Sequence, residues 1–378
     1  MIKSIKIRLI PIKEQEILML KSVGVSRFTY NWGLNRWNEL LQLNEKPSKF
    51  NIKNEFNNTI KKQEEYKWIK EVSAQTTAEV FDDLNKAFNN FLNKRAKYPR
   101  FKSKKKSRQS FYVRYDAIKF EDGKVNLEKI GKVKYKTNYK IPTLDKYVNP
   151  RCSFDGKYWY LSLGFDYDEN QVMLNKDLSV GIDLGIKDLA IVSHIDKPIK
   201  NINKTAKVKK LKKRLKRLQR QVSRKYEANK CGNKFVKTNN IIKLEKQIKL
   251  LHRKLSNIRS NHIHQATNKI IKLYPYRAVM EDLAISNMMK NKHLSKSIQE
   301  QCFYEFIRQM KYKCEFNKIE FIQVPRNFPS SKQCSCCGGI KKDLKLKDRV
   351  YICDKCNLII DRDKNASINL SNYNLKLA

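Results

Sequence analysis

The chain has 378 residues, 40% of them hydrophobic, which is enough for two or more domains with a sizeable core. Lys and Arg total 81 against 37 Asp and Glu, a formal net charge of +44. Charges in that excess repel one another in the compact state, so they argue for a polyanionic partner, nucleic acid first; an AT-rich coding bias accounts for Lys over Arg but not for the shortage of acids.

Ile5, Ile7 and Leu9 alternate with Lys6 and Arg8, which predicts a strand. This start carries no apolar leader, and no later run approaches the roughly 20 apolar residues of a membrane span, so a cytoplasmic protein without a membrane is expected. Helical patterns follow through Phe28, Trp32 and Trp37, with Trp68 in the stretch before the clearest one. In that one Val80, Phe81, Leu84, Ala87, Phe88, Phe91 and Leu92 recur three and four apart and form a core stripe. Pro99 to Arg108 reads as an exposed basic connector that touches phosphates. From about Phe111 to Tyr167 the pattern turns to strands, with Asp122-Gly123 and Asp155-Gly156 as hairpin turns, and a small β-barrel interrupted by the helical block fits the order.

Ser179 to Gly185 reads as a strand running into a glycine turn, and Leu189 to Ser193 as a second strand. Residues 205–270 form a basic helical hairpin turning near Cys231-Gly232. Eight of the twelve residues from Lys209 to Arg220 are basic, while Leu211, Leu215 and Leu218 make an apolar seam. The seam suits a coiled-coil contact and the charged faces suit a duplex backbone, and the two uses do not conflict. A buried strand ends at Glu281-Asp282; Phe303, Phe306, Ile307 and Met310 mark a helix; Ile319 to Val324 is another strand; a short helix with Ala366, Ile368 and Leu370 closes the series.

Nine cysteines are present, five of them between Cys334 and Cys356. Cys334/Cys337 and Cys353/Cys356 are two CxxC pairs at the spacing of a tetrahedral zinc ribbon, a closed site of structural type. Cys336 is the odd member and could replace Cys334 or Cys337 only in a strained site. Gly338 and Gly339 follow the first pair, where a knuckle needs freedom in φ. Cys152, Cys231, Cys302 and Cys314 are isolated and read as packing or surface residues.

Three acids stand at element ends. Asp183 lies inside the apolar strand Val180-Gly-Ile-Asp-Leu-Gly, Glu281 ends a strand, and Asp363 opens the final helix. Singly each has a plain structural role available: a turn for Asp183, a Lys partner for Glu281, a helix cap for Asp361 or Asp363. In an RNase H-type order these positions converge, and clustered carboxylates suit Mg²⁺ or Mn²⁺ for phosphodiester hydrolysis.

Five segments together resemble the TnpB family, transposon-encoded relatives of type V CRISPR effectors. They are Gly181-Ile-Asp-Leu-Gly-Ile-Lys-Asp-Leu-Ala, Glu281-Asp-Leu, Ser330-Ser-Lys-Gln-Cys-Ser-Cys-Cys-Gly, Tyr351-Ile-Cys-Asp-Lys-Cys and Asp361-Arg-Asp-Lys-Asn-Ala-Ser-Ile-Asn. The likeness spans nearly the whole chain, including Ser26-Arg-Phe-Thr-Tyr-Asn-Trp, Lys86-Ala-Phe and Tyr98-Pro-Arg-Phe. It implies an α/β multidomain protein. A β-barrel wedge domain (1–12 and 109–172) would hold a helical recognition insertion (13–108). An RNase H-like RuvC nuclease domain (173–329 and 358–378) would carry a zinc ribbon (330–357). It also implies a guide RNA, a double-stranded DNA target read beside a short flanking motif, and action as a monomer. Matched residue by residue, Asp183, Glu281 and Asp363 take the catalytic metal, with Asp361 second, and Cys334, Cys337, Cys353 and Cys356 take Zn²⁺. Asn357 stands where the family usually has Gly. The flanking motif would be read around Phe50 to Ala78, where Gln75 has the chemistry of a base reader and equally fits an exposed helix face.

Overall fold

The computed structural model describes residues 2–144, 146–167, 172–345 and 348–373, which divide into two units, Met1–Tyr167 and Asp168–Ala378. In the first unit β1 (Ile2–Ile10) buries Ile5, Ile7 and Leu9, as its alternation predicts. On its other face cations lie over tyrosines, Lys6 over Tyr160 at 4.1 Å and Arg8 over Tyr158 at 3.6 Å, while Lys3, on the Ile5 face, lies over Tyr167 at 3.8 Å.

The helical block follows as α1 (Lys13–Gln42), α2 (Lys49–Asn58), a 3-10 run at Glu64–Glu71 and α3 (Ala74–Leu92). Val80, Phe81, Leu84 and Phe88 pack with Leu34, Trp37, Ile52 and Phe56, whereas Phe91 and Leu92 of the expected stripe are exposed. Gly33 lets α1 approach α3 closely, since a Cβ there would lie 3.2 Å from Leu84. The stretch from Pro99 to Arg108 is not wholly exposed: Pro99 is buried, the Lys102 backbone exchanges hydrogen bonds with the Asn31 amide at 2.7 and 2.9 Å, and its ammonium sits 3.7 Å over the Tyr30 ring.

Six further strands complete this unit: β2 (Gln109–Tyr112), β3 (Lys119–Glu121), β4 (Lys124–Leu127), β5 (Gly131–Lys136), β6 (Val148–Phe154) and β7 (Trp159–Asp166). With β1 they form one antiparallel sheet in the order β2-β6-β7-β1-β5-β4-β3. Asp122 and Gly123 both take positive φ, the geometry of a two-residue hairpin, and Asp155-Gly156 turns between β6 and β7. Among the described residues β2 and β3 do not pair, so the small β-barrel expected takes the form of a half-barrel.

The second unit is built on β8 (Asn175–Leu184), β9 (Asp188–Val192) and β10 (Ile199–Lys200), then the helical hairpin α4 (Ala206–Ala228) and α5 (Asn239–Ile271). A small ladder of β11 (Lys230–Cys231) and β12 (Lys234–Phe235) caps the hairpin where the turn is predicted. Leu215 and Leu218 pack on Leu251 and Leu255, with Val208 buried and Leu211 partly buried in the same seam. Next come β13 (Pro275–Glu281), α6 (Ile285–Met288), α7 (Ser295–Gln301), α8 (Phe303–Phe316) and β14 (Glu320–Val324). The ribbon hairpin β15 (Val350–Ile352) and β16 (Ile359–Asp361) leads into α9 (Arg362–Ser371). The sheet runs β10-β9-β8-β13-β14, antiparallel on the β9 side and parallel on the β13 side.

Strand alternation divides this sheet into two faces. Val180, Ile182, Ala278 and Met280 point to a core shared with Ile263, Ile270, Phe306 and Met310 of α5 and α8. The alternate residues Ser179, Gly181, Asp183, Val279 and Glu281 face the other way, where α9 lies. Val279 packs there with Leu370, and the Ser179 hydroxyl donates to the Ser371 carbonyl at 2.6 Å. Among the described residues no helix is long and apolar enough to cross a membrane.

Candidate active site

Gly181 governs how close α9 comes to the sheet. A Cβ on it would lie 1.9 Å from the Ser367 carbonyl oxygen and 2.4 Å from the Ser371 nitrogen, so only glycine fits. Both ends of α9 are then pinned. At its N-terminus the Lys364 ammonium donates to the carbonyls of Val192 at 3.1 Å and Ser193 at 2.7 Å. At its C-terminus buried Arg277 donates to the Ser371 carbonyl at 3.2 Å. The apolar strand motif and the final helix are thus two halves of one packing unit.

That packing carries the three acids to one end of the sheet. Asp183 pairs with Ile191 on one side, while Ile182 pairs with Met280 on the other, so Glu281 follows at the same level of the parallel ladder. Asp363 enters from the first turn of α9. Asp183 is half-buried. Burial of its carboxyl raises its pKa well above the ordinary carboxylate range, the charges of Glu281 and Asp363 raise it further, and Arg362 opposes them. Mutual electrostatic coupling of three carboxylates is the condition that divalent cations relieve.

The other two acids are held differently. Glu281 accepts a hydrogen bond from the Ser330 hydroxyl. Asp363 accepts from the Arg362 guanidinium at 3.1 and 3.2 Å and lies 3.7 Å from the Arg349 guanidinium. Asp361 caps α9 instead: its Oδ1 accepts from the backbone N–H groups of Asp363 at 3.0 Å and Lys364 at 3.1 Å. Arg349, Arg362, Lys364 and Ser330 were not singled out from the sequence. Ser330, Arg362 and Lys364 stood inside quoted motifs without a role of their own and Arg349 outside them, and a basic residue in so basic a chain carries no signal by itself.

Cys334, Cys337, Cys353 and Cys356 meet within the ribbon, all four sulfur atoms within 4.8 Å of one another. The Cys334–Cys356 and Cys337–Cys353 pairs are 3.6 and 3.5 Å apart. Zn–S bonds of about 2.3 Å at tetrahedral angles place sulfurs about 3.8 Å apart, so the donor set fits Zn²⁺. Gly338 has φ of +72° and Asn357 φ of +57°, the two positive-φ positions after the knuckles. Gly339 is not left-handed; a side chain there would crowd Lys355 at 3.0 Å. Cys336 is exposed and outside the cluster. Among the described residues this is the group of three or more metal-type donors whose ligand atoms all lie this close, and the three carboxylates are more widely spread. Gln75, half-buried, donates to Glu79 at 2.6 Å within α3.

Three family models match the chain in order: a helix-turn-helix domain of OrfB/IS605 proteins over residues 1–46, a probable transposase over 165–292, and the Cas12f1-like TNB domain over 303–370. The described residues of that span nevertheless form a strand and one long helix, not a helix pair. The chain is 28% identical to the putative RNA-guided DNA endonuclease InsQ of Escherichia coli strain K12, over 98% of this chain and 91% of that one. It is also 28% identical to a putative RNA-guided DNA endonuclease of Streptomyces pristinaespiralis, over 97% and 88%. A cryo-EM structure of a Cas12f1–sgRNA–target DNA complex shares its fold, with a TM-score of 0.61 and 14% identity over 96% of this chain and 83% of that one. The resemblance to the TnpB family read from the motifs holds along the chain.

Proposed function

We propose that the chain is an RNA-guided, divalent-metal-dependent DNA endonuclease of an insertion-sequence transposon, cutting phosphodiester bonds in target DNA next to a short flanking motif. The single observation that carries this reading is the placement of Asp183, an acid in a strand motif that stands level with Glu281 on the neighbouring parallel strand while Asp363 opens the helix packed on that face. The names of the full-length relatives and the net charge of +44 support the same chemistry.

In this reading the second unit is a RuvC-like nuclease, and Asp183, Glu281 and Asp363 hold Mg²⁺ or Mn²⁺. When bound, such ions activate water and stabilise the leaving oxygen. The protein's part is to keep three oxygen ligands on one sheet face: β8 and β13 set two of them in register, and the Gly181 contact sets the third. The ribbon binds Zn²⁺ for shape, since four thiolates leave no place for water. The half-barrel unit is proposed as a wedge domain with the helical block as its recognition insertion. The α4/α5 hairpin offers cations to nucleic-acid phosphates while its leucine seam faces inward.

Purification with co-expressed RNA, sequencing of that RNA, and cleavage of a matching DNA target tests the proposal. Cleavage of DNA regardless of guide match, or without RNA, counts against it. The description of the matched family as a probable transposase favours a second reading, strand transfer, which would join DNA ends without any need for RNA.

A further inference from the structure

The three acids of the proposed site are not equally constrained. Asp183 is fixed by the strand around it, and Asp363 is gripped by Arg362 on its own helix and approached by Arg349. Glu281 is at the last residue of β13 and has a longer, three-torsion side chain to immobilise. Among the described residues its side-chain partner is the Ser330 hydroxyl, which donates to Oε1.

Ser330 is 3% exposed and is itself locked. Its carbonyl accepts from the Asn369 amide at 2.7 Å, and the same amide donates to the Gln333 carbonyl at 2.6 Å. Asn365, one turn earlier on α9, donates to the Gln333 carbonyl at 2.7 Å and accepts from the Ser335 N–H at 2.9 Å. Ser335 lies between the first two ribbon cysteines of the zinc cluster, next to Cys334. A continuous set of short hydrogen bonds therefore runs from the cysteine knuckle, through the helix that carries Asp363, to one oxygen of Glu281.

We propose that Ser330 is a positioning residue for Glu281, and that Asn365 and Asn369 tie its placement to the folded zinc ribbon. The inference rests on the carboxylate site proposed above. With the hydroxyl on Oε1, Oε2 is left for the cation, and the side chain is held in one rotamer before the ion arrives. Outer partners of this kind orient a ligand and raise its metal affinity. The ribbon then does more than fold: its order decides whether the Glu281 carboxylate is in place.

The test uses the protein–RNA complex and reads cleavage rate against Mn²⁺ and Mg²⁺ concentration. Ser330→Ala is expected to raise the divalent-ion concentration for half-maximal rate by roughly 10-fold, the scale for losing an outer partner of a metal ligand. RNA binding and zinc content should not change. Ser330→Thr, which keeps the hydroxyl, should restore the wild-type ion dependence; a Thr variant no better than Ala overturns the proposal, because packing alone would then explain the loss. Wild-type ion dependence in Ser330→Ala alongside an inactive Glu281→Gln overturns it while leaving the site reading in place. A Glu281→Gln complex that cuts at the wild-type rate overturns both.

Discussion

Gly181 and Ser367 are in contact with no room between them: a Cβ on Gly181 would come within 1.9 Å of the Ser367 carbonyl oxygen, which is backbone and cannot rotate away. Gly181→Ala must therefore push α9 off the sheet and carry Asp363 from Asp183. The substitution should destabilise the protein by about 3 kcal/mol, the upper range for overpacking a core, and remove cleavage even though no acid is changed. Thermal unfolding and a cleavage assay check this. A Gly181→Ala protein with wild-type stability and activity would show that α9 does not pack as described.

The raised pKa of Asp183 sets a pH dependence with a definite sign. In the metal-free protein its folded pKa exceeds the unfolded value, so the unfolded chain loses the proton first. Stability from this group is complete below the unfolded pKa and is lost as pH rises through the folded one. Asp183→Asn should then raise the melting temperature of the metal-free protein at neutral pH and abolish cleavage, with RNA binding kept. Divalent ions should stabilise the wild type and not the variant, and their affinity should fall as pH is lowered toward the raised pKa. Equal stabilisation of both proteins by Mg²⁺ counts against the assignment.

Much of this site was legible before the fold because its signals are local. A charged residue inside Val180-Gly-Ile-Asp-Leu-Gly is costly wherever the strand lies, and two CxxC pairs announce a ligand set by spacing alone. Asp122-Gly123 announces its own hairpin. What covers each strand face was not legible, because period tells which residues share a face and not what packs there. Hence Gly181 read only as a member of an apolar strand, when its use is contact with α9. The sheet of the first unit was read as a small β-barrel, and whether its two ends join depends on β2 meeting β3, a pairing no local pattern encodes. Lys102 read as an exposed phosphate contact, but its long apolar stem lets it lie half-buried on Tyr30.

Zinc dependence separates the ribbon cysteines from their neighbour. Cys353→Ser should lose the bound metal and disorder the ribbon, since the ion supplies most of the stability of so small a module. Cys336→Ser, outside the cluster and exposed, should keep a full equivalent of zinc and normal cleavage. Elemental analysis of both variants decides it. Loss of metal from Cys336→Ser, or its retention in Cys353→Ser, would mean that a different set of thiols binds.

Lys313 offers a test in the core of the second unit, away from the carboxylates. It is 8% exposed, and its ammonium donates to Thr267 Oγ1 at 2.6 Å, Asn268 Oδ1 at 2.7 Å and the His264 carbonyl at 3.2 Å. Burial lowers its pKa to about 8, with the Glu305 charge opposing. The folded value lies below that of an unfolded lysine, so between the two the unfolded chain binds more protons. The penalty for charging Lys313 is full below pH 8 and is relieved as pH rises toward the unfolded pKa, at no more than about 1.4 kcal/mol per pH unit. Relative to Lys313→Met, the wild-type protein should therefore gain stability between pH 8 and 10. Parallel melting curves for the two proteins across that window would show that Lys313 is charged in the fold throughout, held by its three acceptors.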